Sequence, residues 1–336
     1  MILIDAVYIN NSGGKVLLDY LIEQLEKSDL EIYYLLDKRI ENNHPVIKSG
    51  NKIEYIKGGL ITKHLFYRSK RDYFSKILCF GNFPPDIRMS GIVYTYFHQL
   101  LFINAPSELS FYIRFLLKLK VKVLEWSLSN SDFWLVQSDT VRKGLINRFK
   151  HIVDSKVITL PFYPPLTGRH EVVRVKSSFL YVSTGHAYKN HERLLQAFVL
   201  FYNQNKMGEL QLTVSNEFDD LQKKIKQLQV LGYPIINHGT IKRDNLAAIY
   251  PSAEFVVYPS QAESFGLGIV EAIENGCKII GSDLPWLYAV CEPSLVFDPS
   301  SAESIYLALQ ESIAGNIKDS RQLVFDKVEE MINLLK

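Results

Sequence analysis

Two glutamates and two glycines within residues 259–276 have the types and spacing expected of a site for a phosphorylated sugar. Glu263 precedes a predicted helix and Glu271 follows eight positions later, with Gly266 and Gly268 between them. Glycines at a helix start leave backbone N–H groups beside the positive end of the helix dipole, which suits phosphate. A loop carboxylate accepts hydrogen bonds from sugar hydroxyls, and the second, deeper one suits a ribose diol. Taken alone, such a pair of glutamates more often lies on the solvated surface of a protein without a role in binding.

Strand-like and helix-like segments alternate along the chain and define the elements that must position these residues. After the first apolar run, residues 16–25 repeat their apolar side chains at helical spacing, and a long helix is predicted over 107–130. Buried strands that alternate with helices are typical of a parallel sheet covered by helices. The predicted strands of the first half are MILIDAVYI, EIYYLLD, KILCF, GIVYTYF and FWLVQS.

The second half repeats this pattern after a break. Residues 161–165 read PFYPP, and so many prolines cannot continue a helix or a central strand. Beyond the break, the predicted strands SSFLYVST, ELQLTVS, PIINHG, EFVVYPS and CKIIGSD alternate with helices over 190–205, 218–230, 243–250 and 267–276.

The predicted fold class is therefore α/β, with two Rossmann-like parallel-sheet domains facing a central cleft. We expect domains over 1–165 and 166–318, and a terminal helix over 319–336 that packs back on the first domain. Ligands of such folds bind at the carboxyl ends of the strands, so we expect the site to face the cleft.

Composition excludes several classes of protein. Hydrophobic residues make up 47% and charged residues 22% of the 336, which is typical of globular proteins and not of disordered ones. A net charge of +2 gives no reason to expect a nucleic-acid partner. Cys79, Cys277 and Cys291 match neither a disulfide framework nor a zinc motif. The first residues lack a signal peptide's basic lead, and we expect a cytoplasmic protein.

Charge is unevenly distributed, which bears on partners of the first half. Residues 1–165 contain 22 Lys and Arg against 16 Asp and Glu, whereas residues 166–336 contain 16 against 20. Basic side chains alternate with large apolar ones over 57–76 and 111–126. Such segments suit the interface of an anionic membrane surface, and the alternative is that they are core-packing helices with solvated lysines.

The segment ESFGLGIVE, residues 263–271, resembles the E-x7-E element of retaining glycosyltransferases, and its surroundings resemble glycosyltransferase family 4. The Ser-Asp-x-Pro at 282–285 is in register with that family. Residues 179–198 are similar to its strand, loop, Lys-Asn and helix, and residues 296–309 resemble its Phe-Asp-Pro followed by a helix. The resemblance covers nearly the whole second half and implies a GT-B fold, a nucleotide-sugar donor and retention of anomeric configuration.

The resemblance also implies roles for individual residues of the second half. Glu263 would bind hydroxyls of the donor sugar, and Glu271 the ribose of the nucleotide. Lys189, in the Lys-Asn position, would neutralise the diphosphate as it leaves. The diphosphate would lie beside backbone N–H groups around Phe265, Gly266 and Leu267.

One feature of the family is absent from this sequence. Family members usually carry an arginine near the lysine, but here the stretch before Lys189 begins with Gly185 and His186. Three alternatives remain open: His186 substitutes, Arg193 or another basic residue reaches in, or the diphosphate is bound more weakly.

The first half is similar to the family at fewer positions, as expected of a domain that binds the acceptor. Gly13 and Gly14 follow the first strand, where the family's glycine-rich loop approaches the donor phosphates. His98 ends the strand GIVYTYF, where the family has a histidine that faces the transferred sugar; an aspartate usually follows it, but here the next residue is Gln99. Asn82 ends another strand and is either an acceptor contact or a turn residue.

The sequence therefore predicts a retaining, metal-independent hexosyltransferase of the GT-B fold. Its donor is expected to be a nucleotide-diphosphate sugar and its acceptor a glycan or a lipid-linked glycan, with no cofactor and no nucleic acid. We expect it in the cytoplasm, on the inner face of the cell membrane. The alternatives are a catalytically inactive GT-B-like binding subunit and another GT-B enzyme, such as a nucleotide-sugar epimerase.

Overall fold

The computed structural model describes residues 1–106, 109–166 and 172–336. The chain divides into two compact units, and the division falls in the proline-rich segment, between Pro164 and Pro165. The first unit contains Met1–Ala105, Ser110–Pro164 and Phe325–Lys336, and the second contains Pro165–Val324.

The first unit is built on a parallel sheet whose strand order is β3-β2-β1-β4-β5-β6-β7. Buried β-branched and aromatic residues form its central strands, which have helices on their faces, as the alternating pattern predicts. The strands are β1 (Ile2–Ala6), β2 (Ile32–Asp37), β3 (Lys52–Ile56), β4 (Lys76–Cys79), β5 (Ile92–Phe97), β6 (Phe133–Val136) and β7 (Val157–Thr159). The helices of its main segment are α1 (Ser12–Leu25), α2 (Leu60–Ser69), α3 (Phe111–Ser127) and α4 (Asp139–Arg148).

The second unit has its own parallel sheet, in the order β10-β9-β8-β11-β12-β14, and a small antiparallel pair, β13 with β15. The strands are β8 (Val175–Tyr181), β9 (Glu209–Leu212), β10 (Ile235–Asn237), β11 (Ala253–Tyr258), β12 (Lys278–Ser282), β13 (Cys291–Glu292), β14 (Leu295–Phe297) and β15 (Arg321–Gln322). The helices are α5 (His191–Asn205), α6 (Asp219–Val230), α7 (Arg243–Ile249), α8 (Leu267–Glu274), α9 (Pro285–Tyr288) and α10 (Ala302–Ile313). The parallel sheet of each unit confirms the predicted α/β class with two Rossmann-like domains.

The end of the chain differs from the sequence expectation. The last helix, α11 (Val328–Leu335), begins nine residues later than the predicted start at 319, because Arg321 and Gln322 pair with β13 instead. The segment then joins the first unit through Asp326, whose carboxylate accepts a hydrogen bond from the Tyr20 hydroxyl at 2.6 Å and one from the Tyr163 N–H at 3.1 Å.

Candidate active site

Lys189 and Glu263 occupy loops that follow two neighbouring strands of the second unit. Strands β8 and β11 pair in parallel at the centre of the sheet, so the loops after them meet at the same edge. Strand order reverses between these two strands, which is the point where doubly wound sheets bind ligands. The fold therefore brings together two residues that are distant in the sequence.

Polar contacts fix the two loops against each other. Asn190, in the left-handed region at φ 64°, donates its side-chain amide to the carbonyls of Pro259 and Pro299, at 3.1 and 2.8 Å. The backbone N–H of Gln261 donates to the Tyr188 carbonyl at 2.9 Å. The Tyr181 hydroxyl donates to the Lys189 carbonyl at 3.0 Å. These contacts hold Lys189 at a fixed position beside the loop that contains Glu263.

The Lys189 ammonium and the Glu263 carboxylate form an ion pair. Lys189 Nζ lies 2.5 Å from Glu263 Oε1, and the two side chains are only 14% and 11% exposed. Burial alone would lower the pKa of Lys189, but the adjacent carboxylate outweighs it and raises the pKa, so the ammonium stays protonated at neutral pH. An ammonium has three N–H donors, and Glu263 uses one of them. The pair therefore combines an acceptor for hydroxyls with a cation that has donors for an anion.

The start of α8 depends on two glycines. Gly266 lies at φ 71°, in the left-handed region that a side chain disfavours, and it turns the chain into the helix. Gly268 lies under two tyrosines, since a Cβ there would be 3.0 Å from the hydroxyls of both Tyr250 and Tyr258. Phe265 points into the core and is 3% exposed, so the contribution expected from Phe265, Gly266 and Leu267 is that of their backbone.

Glu271, on the second turn of α8, is held in a buried polar cluster. Its Oε1 accepts a hydrogen bond from Arg243 Nη2 at 2.8 Å, and its Oε2 accepts one from the Tyr250 hydroxyl at 3.1 Å. Burial raises the pKa of Glu271, and the guanidinium of Arg243 acts in the opposite direction. Neither Arg243 nor Tyr250 was predicted from the sequence to be a site residue.

The residues at the position of the missing arginine have well-defined surroundings. Gly185 packs against Phe218, since a Cβ there would be 2.5 Å from its ring. His186 stacks on Tyr188 with ring centroids 5.7 Å apart. Desolvation and the nearby Lys189 lower the pKa of His186, which favours the neutral ring at pH 7. Arg193 donates to the side-chain oxygen of Asn190 at 2.9 Å and so braces the loop that carries Lys189.

An open cavity of about 730 Å³ lies at the carboxyl ends of β9 and β10. Its walls are the loops after these strands and one face of α6, and polar side chains predominate. Residues on its walls include Ser215, Glu217, Gln222, Asn237, His238 and Thr240.

In the first unit, His98 and Asn82 are locked together at the ends of β5 and β4. The His98 N–H donates to Asn82 Oδ1 at 2.7 Å, which orients the amide so that its nitrogen donates to His98 Nε2 at 3.1 Å. The proton of the neutral ring is therefore on Nδ1, and this atom has no hydrogen-bond partner among the described residues. Burial lowers the pKa of His98 to about 4, so the ring is neutral at pH 7.

Gly13 and Gly14 lie in the first turn of α1, whereas the sequence places them in the turn before it. A Cβ on Gly14 would be 3.8 Å from His98 Nε2, so this glycine lies directly against the histidine. A Cβ on Gly13 would meet no atom within 4 Å.

The two basic and apolar segments of the first unit differ in exposure. Lys63, one of the basic residues in segment 57–76, is buried, and its Nζ lies 2.7 Å from Asp5 Oδ2. Helix α3 packs through Val121 and Leu124, but most of its large apolar side chains are exposed. Its exposed apolar residues are Phe111, Tyr112, Ile113, Phe115, Leu116, Leu119 and Trp126, and its exposed basic residues are Arg114, Lys118, Lys120 and Lys122.

We refer to these residues as the basic-aromatic face of α3. Phe111 is 86% exposed and Trp126 81%, values unusual for such large apolar side chains. Among the described residues, no helix is long and apolar enough to cross a bilayer.

Relatives in sequence are glycosyltransferases. Residues 170–323 match the family model of glycosyl transferases group 1. The O-antigen chain mannosyltransferase B of Escherichia coli is 27% identical in an alignment of 260 positions, which covers 72% of this chain and 66% of that protein. The serotype-specific mannosyltransferase WbdA of Escherichia coli is 26% identical over 140 residues, which are 41% of this chain and 17% of that protein. The matched regions thus span less than two thirds of either relative.

Solved structures with the same fold cover nearly the whole chain. A sucrose-phosphate synthase from Thermosynechococcus elongatus has a TM-score of 0.74 at 18% identity, covering 93% of this chain and 89% of its own. HepE of Anabaena, in complex with UDP and glucose, has a TM-score of 0.66 at 12% identity, with 93% and 89% covered. Membership of family 4 stays a prediction. The chain has the GT-B fold, and residues 170–323, within its second unit, match the family model of glycosyl transferases group 1.

Proposed function

We propose that this chain is a retaining glycosyltransferase, which moves a hexose from a nucleotide-diphosphate sugar to a hydroxyl of a glycan or lipid-linked acceptor. The observation that carries the proposal is the ion pair of Lys189 with Glu263 at the paired ends of β8 and β11. Glu263 lies in the loop before α8, and the N-terminus of this helix, with Gly266 as its N-cap, suits a diphosphate.

Each group of the second unit has a role that its chemistry supports. The two remaining donors of the Lys189 ammonium bind the diphosphate and neutralise the charge that develops as it leaves. Glu263 accepts hydrogen bonds from hydroxyls of the sugar, so the sugar and its phosphate bridge the two partners of the ion pair. Glu271 accepts from the ribose hydroxyls. His186 is neutral at pH 7, so it contributes hydrogen bonds to the donor and not a positive charge.

The transfer needs no side-chain nucleophile. The acceptor oxygen forms a bond to the anomeric carbon on the face from which the diphosphate departs, and the bond to the phosphate oxygen breaks. The configuration is retained because the new bond forms on the face from which the diphosphate leaves, and the acceptor proton passes to the departing phosphate oxygen. Orientation of the two substrates and exclusion of water supply much of the rate. We assign His98, with its partner Asn82, to the acceptor and the transferred sugar.

The relatives suggest which substrates to test first. Both curated relatives are named mannosyltransferases, and one acts on the O-antigen chain, so mannose on a growing glycan is the first pair to examine. The basic-aromatic face of α3 supports an acceptor at a membrane, because aromatic side chains enter the interface while lysines attract anionic headgroups. We therefore propose that the enzyme acts at the inner face of the cell membrane.

The experiment is transfer from a panel of nucleotide sugars to a bacterial lipid-glycan extract, with the product's anomeric configuration read by NMR. Transfer from one donor with retained configuration supports the proposal, and inverted configuration contradicts the retaining mechanism. Tight nucleotide binding without turnover would favour the inactive binding subunit instead.

A further inference from the structure

Arg243 is the one cation that contacts the Glu271 carboxylate among the described residues. It is the first residue of α7, 28 positions before Glu271, and its Nη2 lies 2.8 Å from Oε1. The Glu271 side chain is 5% exposed and that of Arg243 is 22% exposed. The guanidinium thus lies at the boundary between the buried carboxylate and solvent.

The contacts leave Glu271 able to bind a diol. A carboxylate has about four acceptor sites, and Arg243 and Tyr250 use one on each oxygen. These two partners come from α7 and the turn after it, so they hold both oxygens in one orientation. A buried carboxylate without a cation carries a large desolvation cost, which the ion pair offsets.

We propose that Arg243 is a positioning residue that fixes the Glu271 carboxylate as the acceptor for both hydroxyls of the nucleotide's ribose. This inference rests on the proposed function, since it assumes a nucleotide donor. Arg243 acts through Glu271 and needs no contact with the nucleotide.

Removing the guanidinium has a predictable electrostatic consequence. Burial already raises the pKa of Glu271, and Arg243 and the Tyr250 hydroxyl oppose this rise, whereas Glu274 on the same helix adds to it. Tyr258, on β11, also interacts with Glu271, and its own pKa is raised well above the usual value, so it stays neutral. Without Arg243 the carboxylate takes up a proton at higher pH, and the protonated form accepts fewer hydrogen bonds.

The test measures how much more tightly the protein binds a ribonucleotide than the same nucleotide without its 2′ and 3′ hydroxyls. Calorimetry compares UDP and GDP with their 2′,3′-dideoxy forms at pH 6, 7, 8 and 9. The variants are Arg243→Gln, Arg243→Lys, Glu271→Gln and the double variant Arg243→Gln with Glu271→Gln. Thermal melting checks that each variant folds. If Arg243→Gln alone is unstable, the double variant replaces it, because it leaves no unpaired buried charge.

The wild type should bind the ribonucleotide about tenfold more tightly than the dideoxy form across the pH range. Arg243→Gln should lose this preference at pH 6 and regain it as pH rises, and Arg243→Lys should keep it. Glu271→Gln should lose the preference for the ribonucleotide at every pH. The double variant should show no larger loss than Glu271→Gln alone. Full preference in Arg243→Gln at every pH, or a loss independent of pH, overturns the inference. Absence of nucleotide binding by the wild type overturns the proposed function itself.

Discussion

The charged atoms of Lys189 and Glu263 lie 2.5 Å apart although the residues are 74 positions apart in the sequence. Each follows a strand at the centre of the second sheet, and β8 and β11 are neighbours there. The ion pair is therefore a product of strand order, and it defines the place where a sugar phosphate would meet both groups.

Loss of either partner of the pair should lower turnover by about 100- to 1,000-fold, because each removes a contact to charge or hydroxyls in the transition state. Lys189→Ala and Glu263→Ala are the variants, with kcat as the measurement. Lys176→Ala, an exposed lysine on β8, is the matched control and should keep full activity. The double variant should be no worse than about the poorer single one, since the two groups act as a unit. Near wild-type activity in both single variants would disprove the site assignment.

Adding a methyl group at Gly268, in the first turn of α8, should destabilise the second unit. A Cβ at Gly268 would lie 3.0 Å from two buried tyrosine hydroxyls, so Gly268→Ala should cost about 1–3 kcal/mol of the free energy of unfolding. Gly50→Ala is the control, because a Cβ there meets no atom within 4 Å. Urea denaturation measures both. Equal stability of the two variants would show that the tyrosines do not pack against the helix as described.

His191 should make the fold sensitive to acid. It is 3% exposed, and burial together with Lys189 lowers its pKa to about 3. An unfolded histidine titrates near pH 6.5, so the unfolded state binds the proton first and stability falls as pH drops from about 6.5 toward 3. The wild type should therefore lose about 2 kcal/mol more than His191→Phe between pH 7 and 5. Urea denaturation at the two pH values measures this, with His151→Phe, at an exposed position, as control. Identical losses in wild type and His191→Phe would contradict the buried, neutral state.

The basic-aromatic face of α3 should bind anionic membranes. Replacing Phe111 and Trp126 by serine removes the two most exposed large apolar side chains of the helix, and replacing Lys118, Lys120 and Lys122 by glutamine removes charge. The lysine set should weaken binding to vesicles of phosphatidylglycerol and phosphatidylethanolamine by about 100-fold, at about 1 kcal/mol per basic residue. The aromatic set should weaken it by about tenfold, because it removes apolar area that enters the interface. Co-sedimentation at low and high salt measures it, and only the lysine set should remove the salt dependence. Unchanged binding in both sets would favour a soluble helix surface.

Much of the fold was predictable because its signals are local. Buried β-branched runs separated by helical spacing predict the element order, and the helix over 190–205 is observed as α5, His191–Asn205. The proline-rich segment at 161–165 marks the division between the two units. Strand order also explains why residues after β8 and β11 meet.

Other features depend on tertiary partners that no local pattern reveals. Lys63 reads as a surface cation until Asp5, on a different element, is seen to bury it. Arg243 begins a short helix with no motif around it, and only the packing of α7 against α8 shows that it pairs with Glu271. The late start of α11 follows from the pairing of two residues with β13, a contact that propensity does not encode.

If the proposed function is correct, the chain turns over a nucleotide-diphosphate sugar at the pair formed by Lys189 and Glu263. The most direct measurement is release of free nucleoside diphosphate from a panel of nucleotide sugars, by the wild type and by Glu263→Gln at saturating donor, with and without a lipid-glycan extract. We expect the wild type to release nucleoside diphosphate from one donor, faster with the extract, and Glu263→Gln to be slower by about 100-fold or more. Release of nucleoside diphosphate at equal rates by both proteins, or no release from any donor, would contradict the proposed function.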